Sequence, residues 1–171
     1  DELALALTRH ATSKIASLAD LEGVATMGFR GEALAAIASV SELVLASRTA
    51  DAPHATRLDA KSGELAPTAR GVGTSVEVRE LFFATPARRK FLKTDATELA
   101  HCVDAVRRHA LARPDVGFAV WHDGRLVAQW RAAADAQARL ADVMGAEFIA
   151  ASVALQAQAG PLRLHGRVGV P

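Results

Sequence analysis

The seven residues GFRGEAL, from Gly28 to Leu34, constrain the local fold more than any other segment of this chain. Two glycines three residues apart precede an apolar run that predicts a helix to about Ser39. A helix start leaves backbone N–H groups unpaired and carries partial positive charge. A glycine hinge admits an anion closely, and Arg30 adds a full charge, so the segment is a candidate phosphate site. On spacing alone, an ordinary helix start after the second glycine is the better interpretation.

The length and composition bound the fold without identifying a ligand. The 171 residues suit one domain, or one domain and part of a second, and half of them are hydrophobic. The net charge of +1 excludes neither nucleic acid nor an acidic ligand, but any basic surface must be local. Cys102 is the single cysteine, which excludes an internal disulfide and fits a reducing compartment; its helical apolar surroundings predict a core position.

No stretch has the unbroken apolar length of a membrane span, and the pattern of a signal peptide is missing. The chain opens at Asp1 without an initiating methionine and with a helical pattern. We therefore expect it to begin inside a longer protein.

The first half of the chain reads as helices followed by strands. The periodicity predicts a helix from Asp1 to about His10, with Leu3 and Leu7 on one face. The other predictions are strands at 43–48 and 54–59, a turn at 61–64, and a half-buried strand with Val76 and Val78 on one face.

The second half begins with a short helix whose first residue is Pro86, with Thr85 as its cap. A longer helix is predicted from Asp95 to about Arg113. Asp123 and Gly124 are typical of a tight hairpin turn between strands at 116–122 and 125–129. A helix then follows residue 134, and strands are predicted at 150–155 and 162–170.

Several familiar catalytic patterns are missing. The sequence has no P-loop, no serine elbow and no zinc-type histidine spacing, and GVGTS precedes a strand where a dinucleotide site would follow one. We predict no catalytic or metal-binding residue within the chain.

Three basic features remain as candidate anion sites. Lys14 lies beside the hydroxyls of Thr12 and Ser13, and Arg30 lies between the two glycines. A third group follows Pro86 and can contact a nucleic-acid backbone: Arg88, Arg89, Lys90 and Lys93. No aromatic residue is expected to interleave with this group. Taken singly, each feature is better explained as solvated surface.

Four blocks stand in a fixed order: RHATSKI (9–15), GFRGEAL (28–34), GTSVEV (73–78) and TPARRKF (85–91). From Asp1 to about Trp130, they closely resemble the ATPase region of the MutL family of DNA mismatch-repair proteins. That family shares a superfamily with gyrase, the heat-shock chaperones and the histidine kinases. The resemblance implies an α+β fold, a two-layer sandwich of helices over a mixed sheet that is incomplete at its N-terminus. It also implies that 1–133 is the C-terminal part of the ATPase domain and that 134–171 begins a second, transducer-like domain.

The resemblance also implies which residues bind ATP. Residues 14–30 resemble the family's mobile lid, and Thr74 resembles the threonine at the adenine end of the nucleotide. The implied ATP-binding residues are Thr12, Ser13, Lys14, Gly28, Phe29, Arg30, Gly31, Glu32, Ala33, Leu34 and Thr74. The family's catalytic glutamate, its Mg²⁺-binding asparagine and its adenine-reading aspartate are expected upstream of Asp1, and a phosphate-contacting lysine beyond Pro171. Ala84 stands where the family has asparagine, which puts one local hydrogen bond in doubt.

The implied function is DNA mismatch repair. The parent protein is expected to be a slow, Mg²⁺-dependent cytoplasmic ATPase without membrane association. ATP would bring two copies together as a homodimer that relays mismatch detection by MutS to a strand-nicking endonuclease on DNA. This chain alone is expected to be inactive. The alternative from the residues is a non-enzymatic nucleic-acid-binding module that uses the helix from Arg88 to Lys93. A gyrase-like subunit is a third interpretation, which the pairing of RHATSKI with GFRGEAL opposes.

Overall fold

The computed structural model describes residues 2–24 and 26–170, and the chain divides into two compact units, Asp1–Leu92 and Lys93–Pro171. Asp1, Ala25 and Pro171, which fall in the predicted first helix, lid and second domain, lie outside the described residues. The first unit contains the elements α1 (Glu2–Ala6), α2 (Leu18–Glu22), α3 (Ala33–Ala38), β1 (Glu42–Arg48), β2 (Ala55–Asp59), β3 (Leu65–Thr68), β4 (Gly73–Arg79) and α4 (Pro86–Arg89).

The four strands of the first unit form one sheet in the order β3-β2-β1-β4. Leu45 of β1 lies opposite Leu58 of β2 and opposite Val76 of β4, so these side chains share one face. Leu43, Leu45 and Leu58 are buried there, and apolar side chains from the two helical segments pack on them: Leu3, Ala6, Leu7, Leu34 and Ala38. Helices over one sheet face confirm the α+β class and the shared face of Leu3 and Leu7.

The sheet differs from the expected one in its strand directions and its edges. All pairings among the described strands are antiparallel, where a mixed sheet was expected. β4 was predicted to be half-buried, but every residue in it is exposed, because β4 is an edge strand beyond the helix-covered centre. β3 was not predicted as a strand; it contains Pro67, which a sheet tolerates at an edge because proline donates no N–H.

Two helices of the first unit differ from their predictions. α1 ends at Ala6 instead of continuing to His10, whose backbone adopts a left-handed conformation with φ of 64°. α4 begins at Pro86 as predicted, but the Thr85 side chain makes no capping hydrogen bond. The N–H groups of Arg88 and Arg89 bond instead to the Thr85 backbone carbonyl, and the Thr85 hydroxyl is buried without a partner among the described residues.

The second unit contains the elements α5 (Asp95–Ala112), β5 (Phe118–His122), β6 (Arg125–Trp130), α6 (Ala136–Met144), α7 (Ala146–Ala150), β7 (Ser152–Ala159) and β8 (Leu162–Gly169). The strands form two antiparallel hairpins. The first turns through Asp123 and Gly124, both at positive φ, as the sequence predicted. Cys102 is exposed, so its predicted core position is wrong; on α5, the buried residue is Ala110, eight positions further on.

Arg139 of α6 is the largest fully buried side chain of the chain's described part. It donates hydrogen bonds to backbone carbonyls of 110, 114, 116 and 131, at 2.7–3.1 Å. All four carbonyls precede 133/134, the domain boundary that the family resemblance implied, so these bonds tie α6, which follows that boundary, to residues before it. The compact units divide at Leu92/Lys93 instead, and the family boundary stays a prediction. None of the described helices is long and apolar enough to cross a membrane.

Candidate anion-binding cleft

A cleft of about 730 Å³ in the first unit brings the RHATSKI and GFRGEAL blocks together. All the candidate ATP-binding residues except Thr74 line it: Thr12, Ser13, Lys14, Gly28, Phe29, Arg30, Gly31, Glu32, Ala33 and Leu34. Glu2, Leu5 and Ala6 of α1 contribute to the wall on another side. Two sequence blocks that are 12 residues apart in the chain therefore share one concave surface.

Gly31 determines how closely the two blocks approach. Its φ of +64° lies in the left-handed region, which glycine adopts without the penalty of a side chain. A Cβ atom at this position would lie 2.1 Å from the carbonyl oxygen and 2.9 Å from the amide nitrogen of Ala11. The backbone of GFRGEAL is thus in direct contact with the backbone of RHATSKI, and only glycine fits the contact.

The cleft contains two cations. The Lys14 N–H donates to the Thr12 hydroxyl at 3.2 Å, which folds the Thr12–Lys14 turn tightly. The Arg30 guanidinium lies over the Phe29 ring, 5.8 Å from its centroid. Within residues 2–24 and 26–170, neither cation forms an ion pair with a carboxylate, so both charges are available to an anionic ligand.

The start of α3 supplies backbone donors to the same surface. Ala36 N–H donates to the Glu32 carbonyl at 2.9 Å, so the N–H groups of residues 33–35 precede that bond. The Glu32 side chain makes no capping hydrogen bond to this helix. Because α3 has six residues, its dipole is small, and the two cations carry most of the positive potential.

The described part of the cleft also contains two carboxylates, of which only that of Glu32 belongs to a predicted site residue. Glu2 and Glu32 both line it. The Glu32 carboxylate lies 3.2 Å from Nδ1 of His10, a residue of the RHATSKI block that was not predicted as a site residue. The sequence shows that His10 belongs to the RHATSKI block, but only the fold places that block beside Glu32.

Residues 14–30, the segment that resembles a lid, contain a helix that was not predicted. Ser17 and Asp20 form a reciprocal capping box at the start of α2. Asp20 accepts hydrogen bonds from the N–H groups of Ala16 and Ser17 at 3.0 and 2.9 Å. The bond from Ala16, followed by those from Ser17, lowers the pKa of the Asp20 carboxyl below its ordinary value of 3.8.

Thr74 is separate from the other candidates. Its hydroxyl lies 2.8 Å from that of Ser47, across the β1–β4 pair, and it is not among the residues that line the cleft in the described part of the chain. Its assignment to the adenine end of a nucleotide stays a prediction.

The basic group after Pro86 is exposed. Arg88, Arg89 and Lys90 make no ion pair within the described ranges. Lys93 begins the second unit, and its N–H donates to Glu98 at 2.8 Å. Phe91 lies between Lys90 and Lys93 and is 80% exposed, so the prediction that no aromatic residue interleaves with this group is wrong. In the chain's described residues, no group of three or more histidine, cysteine, aspartate or glutamate side chains could hold a metal ion.

Comparison with known proteins places these features in context. No protein-family model matches the chain. Its full length is similar to the DNA mismatch repair protein MutL of Ralstonia nicotianae, at 57% identity over 171 residues, and to that of Herminiimonas arsenicoxydans, at 56% over 177 residues. Among solved structures, it resembles the Aquifex aeolicus MutL ATPase domain complexed with ADP, with a TM-score of 0.65 and 30% identity over 83% of this chain and 56% of that one. The chain spans 27% and 29% of the length of the two curated relatives.

Proposed function

The chain is a segment of the MutL family of DNA mismatch-repair proteins, and we propose that its cleft forms the phosphate side of an ATP-binding site. The observation that carries this proposal is the backbone contact of Gly31 with Ala11, which joins Lys14, Arg30 and the α3 start on one surface. Two full positive charges and unpaired N–H groups are the donors that phosphate oxygens prefer. A cleft of about 730 Å³ has room for a nucleotide.

The chain's own residues bind and orient the phosphates in this proposal. Lys14 and the hydroxyls of Thr12 and Ser13 approach from one block. Arg30 and the N–H groups at the start of α3 approach from the other, so the phosphates are held between two segments whose backbones are in contact at Gly31 and Ala11. Mg²⁺ bound with ATP would neutralise phosphate charge during hydrolysis. We expect its protein ligand and the catalytic base outside this segment, so the segment alone would not hydrolyse ATP.

For the full-length protein we propose ATP-dependent homodimerisation in DNA mismatch repair. In this role, ordering of residues 14–30 over the nucleotide would accompany the association of two copies. The dimer would relay mismatch detection by MutS to a strand-nicking endonuclease in the cytoplasm. Support for this proposal comes from the similarity of all 171 residues of this chain to part of a MutL protein. The structural similarity to a MutL ATPase domain complexed with ADP also supports it.

Substitution of Lys14 tests the nucleotide site. In the full-length protein that carries this segment, Lys14→Gln should weaken ADP and ATP binding about tenfold, since it removes one charge-assisted contact to phosphate. Lys90→Gln is the matched control: it removes the same charge outside the cleft and should leave the affinity unchanged. Isothermal titration measures both. Equal affinities for the two variants would contradict the proposal.

A nucleic-acid-binding role for the basic group is the second candidate. It is favoured by the exposure of Arg88, Arg89 and Lys90 without ion pairs among the described residues, and by the exposed ring of Phe91 beside them. Neutralising the three cations should reduce DNA affinity and lower the slope of log K against log salt by about one for each phosphate that the variant no longer neutralises. Nucleotide binding should not change, which separates this role from that of the cleft. An unchanged salt slope would exclude it.

A further inference from the structure

We propose that His10 is a positioning residue of the cleft, one that pairs with Glu32 and offsets the carboxylate charge facing a bound polyphosphate. The inference rests on the proposed nucleotide site and deepens it. It concerns how the affinity of that site is regulated, through a residue that does not itself line the cleft.

The geometry ties His10 to the contact that joins the two blocks. His10 precedes Ala11, and Glu32 follows Gly31, so the pair is adjacent to the glycine contact. Nδ1 of His10 lies 3.2 Å from Oε1 of Glu32. The backbone of His10 is left-handed, with φ of 64°, a conformation that is uncommon for residues other than glycine. His10 therefore lies in a turn between α1 and the contact of Ala11 with Gly31.

The charges of the cleft give the pair a function. Among the described residues that line it, Lys14 and Arg30 are positively charged, and Glu2 of α1 and Glu32 are negatively charged. Among the described lining residues, the two carboxylates therefore offset part of the attraction that Lys14 and Arg30 exert on a polyphosphate. Histidine is the side chain whose charge changes between about pH 5 and 8. A protonated His10 beside Glu32 therefore offsets the negative charge of that carboxylate and favours anion binding in the cleft.

A purely structural role for the pair fits poorly with its exposure. The side chains of His10 and Glu32 are 76% and 47% exposed, and ion pairs this accessible contribute little to folding. Glu32 lines the cleft, so the pair can act on the charge that a bound ligand meets there. The role is therefore expected in nucleotide affinity and its pH dependence rather than in stability.

A double-mutant cycle tests the proposal. ADP affinity of the full-length protein is measured by isothermal titration from pH 5.5 to 8 for the wild type, His10→Gln, Glu32→Gln and the double variant. On acidification, the wild type should gain about three- to tenfold in affinity relative to His10→Gln. Glu32→Gln should bind ADP several-fold more tightly at pH 8, and His10→Gln should have no further effect in its presence. Titration of the ADP phosphates is common to all variants and cancels in these ratios.

His54→Gln is the matched control, since His54 is an exposed histidine of the same unit outside the cleft lining. It should keep the wild-type pH dependence, and circular dichroism verifies the fold at each pH. If His10→Gln follows the wild type at every pH while Lys14→Gln weakens binding, the positioning role is wrong and the nucleotide site stands. If the wild type binds no ADP, both proposals fall.

Discussion

The two units bury different kinds of side chain at their centres. In the first unit, Leu43, Leu45 and Leu58 form a wholly apolar cluster between sheet and helices. In the second, the largest buried side chain is Arg139, which bonds to four backbone carbonyls and lies over the Phe118 ring, 5.8 Å from its centroid. An apolar cluster tolerates changes in proportion to lost volume, whereas directional hydrogen bonds tolerate almost no change of donor.

The chain contains its own probe for separating these cores. Both tryptophans, Trp121 and Trp130, lie in the second unit, and Trp130 is 9% exposed. Tryptophan fluorescence therefore follows the second unit alone, while circular dichroism follows both. Unfolding of the 171-residue chain, followed by both signals, therefore reports on the two cores separately.

Arg139→Met should have the largest effect. The substitution keeps an apolar stem but leaves four carbonyls without their donor, and each buried unpaired group costs roughly 1–3 kcal/mol. We expect a loss of about 3–5 kcal/mol in the free energy of unfolding of the second unit. Urea unfolding followed by tryptophan fluorescence measures it. Arg163→Met, an exposed position on β8, is the control and should cost almost nothing. A loss below about 1 kcal/mol would mean that Arg139 is not the centre of this core.

Leu45→Ala should destabilise the first unit by about 3 kcal/mol, because it removes a side chain that is 2% exposed and leaves a cavity between β1 and the helices. Circular dichroism should detect the change, and the fluorescence transition should stay in place. The matched control is Leu65→Ala on β3 of the same sheet, where the side chain is 47% exposed and the cost should be much smaller. A joint shift of both signals would show that the two cores unfold together and would weaken the comparison.

Gly31→Ala should cost more than Gly63→Ala, although both glycines have positive φ, of 64° and 73°. The left-handed backbone alone costs an alanine about 1 kcal/mol. At Gly63 nothing lies within 4 Å of an added Cβ, whereas at Gly31 the Ala11 carbonyl lies at 2.1 Å and must move. We expect about 1 kcal/mol for Gly63→Ala and at least twice that for Gly31→Ala, measured by circular dichroism in urea. Equal costs would show that the two blocks are not in firm contact.

Acidification should have the smallest effect, confined to the start of α2. Hydrogen bonds from Ala16 and Ser17 lower the pKa of Asp20 below 3.8, so the charged carboxylate stabilises this cap above that pH. The stabilisation is lost as the pH falls through the lower pKa of the folded chain. NMR titration of the Ala16 and Ser17 amide protons should show them losing their hydrogen bonds only in that acidic range. In Asp20→Asn the same protons should show no such transition, and a wild-type titration above 3.8 would contradict the expectation.

The local pattern was enough to predict several elements. Asp123 and Gly124 specified a hairpin because both central residues of the turn need positive φ. Pro86 began a helix because that position needs no N–H donor. The strand β3, which contains Pro67, was not predicted. A proline is tolerated there because β3 lies at the edge of the sheet and pairs with β2 on one side.

Burial was harder to predict than element type. Val76 and Val78 alternate as a half-buried strand should, yet both are exposed, because alternation indicates which face is apolar and not what covers it. Cys102 lies in an apolar helical pattern but is exposed, and the buried residue of that helix is Ala110. The burial of Arg139 was not predicted at all. An arginine is almost never fully buried unless hydrogen-bond acceptors surround it, and here those acceptors are backbone carbonyls of other segments.

The sequence by itself determined the start of α4 at Pro86, the hairpin turn at Asp123 and Gly124, the α+β class and the two blocks whose resemblance to MutL proteins pointed to phosphate chemistry. These depend on residue type and short spacing, which are visible along the chain. Only the tertiary structure decided that Gly31 packs on Ala11, that His10 meets Glu32 and that Arg139 is buried. Each of these features depends on contacts between residues that are separated along the chain. Such contacts form only where the backbone turns between those residues, and local propensity does not encode these turns.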